Sequence, residues 1–368
     1  MSEGRKWADV RKLLCVRLDN MGDVLMTTPA LRALKQSGPD RHLTLLASRP
    51  GCELAPYLED VDEVIAYNAP WVKHAAYDAG EDEDLLKRLR AQEFDAAVIF
   101  TVYSQSALPA ALFCRMAGIP RVLAYCRENP YALISDWVPE TEPMSQLRHE
   151  VQRQLDLVAH IGAVNEHPTL RFRTLATHRH SLSEKLAARG WTGASYMVAH
   201  CGASAPSRRY PAESFAHALK LIGTRAGTIV LSGDHNERDL VDEIATMCGT
   251  EAQYINVAGD LGLGEFACLL ESARLLLSNN TGPVHLAAAF GTPVVDLYAL
   301  TNPQHTPWMV PQRVLFQDVP CKYCYRSVCP EGHHACLRGV SPQAVCEAVV
   351  ALQEECGASS VPPLAQIV

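Results

Sequence analysis

The stretch VRLDNMGDVLMTTPALRALK, residues 16–35, sets an Asp between a strand-like apolar run and a helix-like one. LLCVRL precedes it. The helical pattern begins near Asp23 and continues through Leu25, Ala30, Leu31 and Leu34, with Pro29 in its first turns. An acidic residue at such a junction can cap the helix, for roughly 1 kcal/mol. It can equally stand as a carboxylate at the mouth of a cleft, where open α/β sheets place their chemistry. In that second role it would take the proton of an attacking hydroxyl.

Three loops in the second half are short, polar and glycine-bearing. HCGASAPSRRYP, residues 200–211, offers backbone N–H groups around Gly202, Ala203 and Ser204, then two cations, Arg208 and Arg209. Backbone donors and a bidentate guanidinium suit a diphosphate, although a solvated loop with a helix cap reads the same way. LSGDHNERD, residues 231–239, has Gly233 after an apolar run and Glu237 early in the next helix. That carboxylate can accept from ribose hydroxyls or serve the helix dipole for about 0.3–1 kcal/mol. SNNTGPVHLAAAFGTP, residues 278–293, turns through Asn280, Thr281, Gly282 and Pro283 into a helix with His285 in its first turn. Free N–H groups there form an anion site, whereas a lone His is more often a structural hydrogen-bonder. Together the three loops point to a nucleotide-diphosphate pocket.

Four of the thirteen cysteines crowd into CKYCYRSVCPEGHHAC, with Cys321, Cys324, Cys329 and Cys336 spaced C-x2-C-x4-C-x6-C. Four thiolates suit tetrahedral zinc or iron, and in a reducing compartment such crowding favours metal over disulfides. The spacing is not that of a standard zinc ribbon, so four reduced thiols in a surface finger is the other reading. His333 and His334 can replace one ligand.

The elements that must position these groups alternate in kind. KLLCVRL, HLTLLAS, EVIAY, DAAVIF and RVLAY are strand-like, and helical stretches such as ALRALK and LLKRLRAQ lie between most of them. A helix over roughly 145–162 follows, then a mixed passage over 164–192. Strands and helices alternate again from YMVAHCG to PVVDLYA, and a last helix spans about 341–356. That is the pattern of βαβ units on two parallel sheets. A length of 368 residues also argues for two domains. G-x-G-x-x-G is absent after the first strand, and no G-x-x-x-x-G-K-[ST] occurs, which speaks against a dehydrogenase or a P-loop enzyme.

Bulk composition is 48% hydrophobic and 20% charged, with a net charge of −8. An acidic chain argues against a general nucleic-acid binder, which needs a basic face for phosphates. No apolar run reaches the roughly 18–20 residues that span a bilayer, and MSEGRKWADVRK lacks the apolar stretch of a secretory signal. The expected location is cytoplasmic.

The chain resembles the bacterial heptosyltransferases of glycosyltransferase family 9 over most of its length. The carriers are VRLDNMGDVLMTTPALRALK, RRYPAESFA and SNNTGPVHLAAAFGTPVVDLYALTNP. The resemblance implies an α/β GT-B fold, two Rossmann-like domains whose parallel sheets face a central cleft. The acceptor would bind to residues 1–175 and the sugar nucleotide to 190–340, a domain that includes the Cys-rich loop 321–336. A helix and tail over 341–368 would follow. It implies inverting transfer of a heptose from an ADP-sugar, with Asp23 as general base. Lipopolysaccharide core is the leading acceptor, and a protein or small molecule the alternative. Asn20, Met21, Gly22, Ser104 and Gln105 fall on the acceptor side. Gly202, Ser204, Arg208, Arg209, Gly233, Glu237, Asn280, Thr281, Gly282, Pro283 and His285 fall on the donor side. Arg208 or Arg209 would offset charge on the leaving diphosphate.

Transfer by this route needs no metal. In relatives that glycosylate autotransporter proteins, cysteines at the position of Cys321, Cys324, Cys329 and Cys336 hold iron, so a structural zinc or iron is a candidate here. An oligomer and a place at the inner-membrane surface are compatible with the resemblance. Two departures bear on the donor: Asn280 stands where many relatives carry Asp, and Ala299 where Gly is usual. The competing reading, a non-catalytic sugar-nucleotide binding protein, predicts binding without turnover and indifference to Asp23→Asn.

Overall fold

Strands buried on both faces read as apolar runs, and β1 (Lys12–Arg17) is buried from its second residue onward, as is β2 (His42–Ala47). The computed structural model describes residues 7–38, 40–72, 78–250 and 252–357. The first six residues and the tail from 358 lie outside the described residues. The chain divides into two units, Met1–Arg173 and Thr174–Val368.

In the first unit, β1 leads into α1 (Met21–Gln36), and β2 and β3 (Glu63–Ala66) follow. After α2 (Ala79–Gln92) come β4 (Ala96–Ile99), α3 (Leu108–Met116), β5 (Val122–Cys126), β6 (Asp136–Pro139) and α4 (Glu150–Ala159). The strands form one parallel sheet in the order β3-β2-β1-β4-β5-β6. Strand order reverses direction between β1 and β4, the point at which such sheets hold ligands beyond their carboxyl ends.

Helix α1 starts two residues before Asp23, and Pro29 falls in its middle rather than its first turns. Proline supplies no N–H for the carbonyl four residues back. The Thr28 hydroxyl donates to that carbonyl, on Leu25, at 2.7 Å, so the buried acceptor is satisfied. Helix α4 packs on α1, which carries its buried polar residues to the end of β1.

The second unit begins with α5 (Ala176–Ala187), then β7 (Tyr196–His200), α6 (Ala212–Ala226), β8 (Thr228–Ser232), α7 (Arg238–Cys248) and β9 (Gln253–Asn256). It continues through α8 (Leu263–Glu271), β10 (Leu276–Asn279), α9 (Gly282–Ala289), β11 (Val294–Leu297), β12 (Gln312–Leu315) and α10 (Pro342–Cys356). This sheet is also parallel, ordered β12-β11-β10-β7-β8-β9. Counted from its own first strand, its order is that of the first unit. The reversal lies between β7 and β10. Helix α10 packs on α6 and closes the apolar core with Val345, Val349 and Leu352.

Among the described residues, no helix is long and apolar enough to cross a membrane.

Candidate active site

The last residue of β1 is Arg17, whose side chain is 0% exposed. A lone buried guanidinium would be ruinously expensive, so it needs partners. It has three: Asp19 at 3.2 Å, Asp23 at 3.3 Å and Glu150 at 3.0 Å. Burial works to lower the Arg17 pKa, but Asp19, Glu150 and Asp23 outweigh it and hold the pKa above its ordinary value. Burial lifts Glu150 above the usual carboxylate range, against the pull of Arg17 and Arg153. Asp19 is lifted by burial in the same way, with Arg17 opposing. Gln154 donates to Glu150, and Arg153 binds Glu140 and the Thr101 carbonyl.

Asp23 serves two partners at once. Its Oδ1 faces Arg17, while its Oδ2 accepts the Asn20 N–H at 3.2 Å from the third position of α1. Capping and chemistry therefore do not exclude each other here. The carboxylate caps as an N3 residue rather than as the N-cap, which is Asn20, and it is only partly buried.

Beside this cluster a pocket of about 280 Å³ opens at the reversal of the first sheet. Leu18 and Asp19 line it from beyond β1, and Thr101, Ser104 and Gln105 from beyond β4. Gln105 donates to Asp19 Oδ1 at 2.6 Å. Ser104 and Gln105 thus share one wall, while Asn20, Met21 and Gly22 form the start of α1 next to it.

In the second unit, the loops beyond β7 and β10 are tied together. Asn279 donates to the Cys201 and Gly202 carbonyls at 2.9 and 3.0 Å and accepts from the Tyr210 N–H at 3.0 Å. A Cβ at Gly202 would overlap the Glu237 carboxylate, so any larger residue there displaces that side chain. Glu237 in turn accepts from the Asp234 N–H at 2.9 Å, with Gly233 beneath it. Burial raises the Glu237 pKa. It also lowers the neighbouring His200 to about 4, so that imidazole is neutral at neutral pH.

Beyond β10, the side chain of the N-cap residue Thr281 does not cap α9 and donates instead to the Asn279 carbonyl at 3.2 Å. The Gly282 N–H is of the kind that receives an anion, while the Val284 N–H already meets the Thr281 carbonyl at 3.1 Å. Pro283 contributes no N–H. His285 is buried, its ring 6.2 Å from that of His305. Asn280 donates to Asp296, a buried carboxylate whose pKa burial pushes up to about 8, with Asn280 and Arg208 opposing. Arg209 folds back onto the Ala203 carbonyl at 2.6 Å. Ser204 is exposed on the same loop.

The expectation of a metal on the four cysteines finds no support in the arrangement of the described residues. Among the described residues no three His, Cys, Asp or Glu side chains gather to hold an ion. Cys321, Cys324, Cys329 and Cys336 are free thiols bordering a small pocket with His333 and His334. Cys336 packs against the apolar core, and burial raises its pKa. Cys321 meets His333 at 3.7 Å. The loop is anchored to the segment beyond β7: Ser207 donates its N–H to the Ser327 carbonyl and its hydroxyl to the Arg326 carbonyl.

Sequence reasoning passed over Arg17, Asp19, Glu150, Asn279 and Asp296. A charge inside an apolar strand, as in LLCVRL and PVVDLY, was the available signal for two of them.

The glycosyltransferase family 9 (heptosyltransferase) pattern matches residues 83–335. Lipopolysaccharide heptosyltransferase 2 of Escherichia coli K12 is 26% identical, the match covering 94% of this chain and 99% of the relative. The glycosyl transferase family 9 structure from Veillonella parvula superposes with a TM-score of 0.79 at 21% identity, covering 94% of this chain and 98% of that one. The E. coli ADP-heptose LPS heptosyltransferase II structure gives 0.72 at 24% identity, covering 94% and 99%. With the same strand order in both sheets and the family pattern spanning well over half its length, this chain is a glycosyltransferase of the GT-B fold and belongs to glycosyltransferase family 9.

Proposed function

We propose that the protein transfers a heptose from ADP-heptose to a hydroxyl of a lipopolysaccharide core saccharide, with inversion and with Asp23 as general base. The observation that carries this reading is the Arg17 cluster: it fixes one Asp23 oxygen in a partly exposed carboxylate near a largely apolar pocket whose wall also carries Asp19, Thr101, Ser104 and Gln105. In the reaction, the acceptor hydroxyl gives its proton to Asp23 as its oxygen bonds to the anomeric carbon. The bond from that carbon to the diphosphate breaks, and ADP leaves with the electron pair. A single displacement inverts the configuration.

Asn20, Met21, Gly22, Ser104 and Gln105 receive the acceptor in this reading. Gly202, Ser204, Gly233, Glu237, Asn280, Thr281, Gly282, Pro283 and His285 build the donor side. Arg208 is assigned to the leaving diphosphate, since Arg209 is turned onto its own loop. No step is routed through the cysteine loop. The match to heptosyltransferases that the names of relatives tie to lipopolysaccharide supports this acceptor, and thirteen free cysteines suit a reducing cytoplasm. A lipid-linked acceptor would bring the enzyme to a membrane surface.

The test follows ADP release from ADP-heptose with and without heptose-deficient lipopolysaccharide. Acceptor-dependent release that falls about 10²–10⁴-fold in Asp23→Asn is expected. Release indifferent to Asp23, or donor binding with no turnover on any acceptor, would sink the reading.

A further inference from the structure

Asn280 lies just beyond β10 and is 5% exposed. Its Nδ2 donates twice inward, to Asp296 Oδ2 at 2.9 Å and to the His305 carbonyl at 3.0 Å. A backbone carbonyl can only accept, so chemistry fixes which end of the amide faces inward. Both amide protons are then in use. No hydrogen bond to the remaining Oδ1 is made among the described residues, and the residue keeps a small exposure of 5%.

Asp296 stands opposite Ser278 in the β10–β11 register and is 0% exposed. Val294, Val295 and Leu297 around it are ordinary core residues, so the strand itself has no use for an acid. Its Oδ1 has no hydrogen-bond partner among the described residues. A buried carboxyl group so thinly satisfied destabilises the fold unless its remaining bond serves something.

We propose that Asp296 is a positioning residue for the sugar nucleotide: together with the His305 carbonyl it locks the Asn280 amide so that residue 280 offers the ligand an acceptor only, for a hydroxyl of the donor sugar or of the ribose. The proposal rests on the donor reading above. A mobile amide would present N–H or oxygen as the ligand demands, and would greet a phosphate oxygen as readily as a hydroxyl. The locked amide selects the hydroxyl. It also accepts without placing a negative charge next to a diphosphate.

The experiment uses the full chain and measures KM and kcat with ADP-heptose, and affinity for ADP alone. Asp296→Asn keeps an oxygen that can receive Asn280 Nδ2, and is expected to retain most of the donor affinity. Asp296→Val fills similar volume without an acceptor and is expected to raise the donor KM about tenfold, with kcat within about twofold. Asn280→Ala should give the same rise, and Asp296→Val should add nothing to it. Weakened ADP binding would assign the hydroxyl to the ribose; a loss confined to ADP-heptose would assign it to the sugar. If Asp296→Val behaves as wild type, or Asp296→Asn is as damaged as Asp296→Val, the lock is wrong. A second readout needs no ligand: with 15N-asparagine labelling, the Asn280 side-chain amide protons should exchange slowly in wild type and Asp296→Asn but not in Asp296→Val. Rapid exchange in wild type overturns the lock, whereas failure of wild type to bind or use ADP-heptose overturns the donor reading.

Discussion

The ends of β1 and β10 each flank the reversal in two sheets of the same strand order, one as first strand and the other as fourth, and they are built from opposite materials. At β1, one buried guanidinium is gripped by three carboxylates within 3.3 Å. At β10, two asparagines, a Gly-Pro turn and a helix not capped by its N-cap side chain stand where charges could have been. The backbone does not cause this difference, since the fold is shared. The proposed chemistry does. A group that accepts a proton must be held in place beside a compensating charge. A site for a diphosphate receives its negative charge from the ligand and is better served by N–H groups and neutral acceptors.

The strongest way to break the comparison is to remove the cation. Arg17→Met leaves Asp19, Asp23 and Glu150 without their shared partner. The expected loss is about 3–5 kcal/mol of stability, because a buried ion cluster stripped of one member keeps uncompensated charge. Arg17→Lys should recover only part of it, since an ammonium cannot reproduce a fork that meets three acids. Denaturant unfolding of both variants measures this. An Arg17→Met loss no greater than that of Asn280→Ala would mean that the two strand ends are not built differently in energetic terms.

A pH titration sharpens the contrast from the second unit. Asp296 keeps its proton in the folded chain up to about pH 8, while the unfolded chain releases it near 4. Between those values the folded state binds more protons, so stability is fullest at the acid end and falls as pH rises. The slope from this one group is at most about 1.4 kcal/mol per pH unit between pH 6 and 8. Asp296→Asn should flatten it by that amount. Glu150 is also shifted upward, but Arg17 opposes its burial, so Glu150→Gln should flatten the curve less. Equal effects would show that the arginine does not hold its acids as proposed.

The two strand ends were unequally legible in the sequence, for physical reasons. The parallel architecture was plain because central strands such as KLLCVR and TIVLS are buried on both faces and so carry unbroken apolar runs. The edge strands β6, DWVP, and β12, QRVL, were not expected as strands. They are short and only partly buried, and one of them ends in a proline. The glycine loops could be read because backbone approach demands small residues at fixed spacing. Glu150 could not be read, since it reaches Arg17 from 133 residues away through the packing of α4 on α1. Local pattern says nothing about such a partner. The cysteine cluster was legible as a cluster, since all four thiols border one small pocket with His333 and His334, but spacing alone does not say whether they hold an ion.

A smaller effect is expected where glycine, rather than charge, does the work. Gly202→Ala drives a methyl into the Glu237 carboxylate. That group ends a flexible chain, so it can move, at the expense of its bond to the Asp234 N–H. A loss of about 1 kcal/mol is expected, together with weaker donor binding. Combining it with Glu237→Ala should remove most of the steric part, which a double-mutant cycle reads directly. Additive losses would mean that the loop backbone, not the carboxylate, sets the requirement for glycine.

The least damaging change tests how far the charged region extends toward its pocket. Gln105 donates to Asp19 Oδ1 at 2.6 Å and is exposed. Asp19 still has Arg17 at 3.2 Å, so Gln105→Ala should alter stability by less than about 0.5 kcal/mol. Its effect should fall on the acceptor. With one wall of the pocket loosened, the acceptor KM should rise a few-fold, or roughly 1 kcal/mol for one hydrogen bond, while kcat and the donor KM stay put. A change in the donor KM instead would place Gln105 on the wrong substrate. A change in kcat would carry the proton-handling region out past Asp19, so that the boundary between binding and chemistry at the end of β1 would lie in the loop beyond β4 rather than at Arg17.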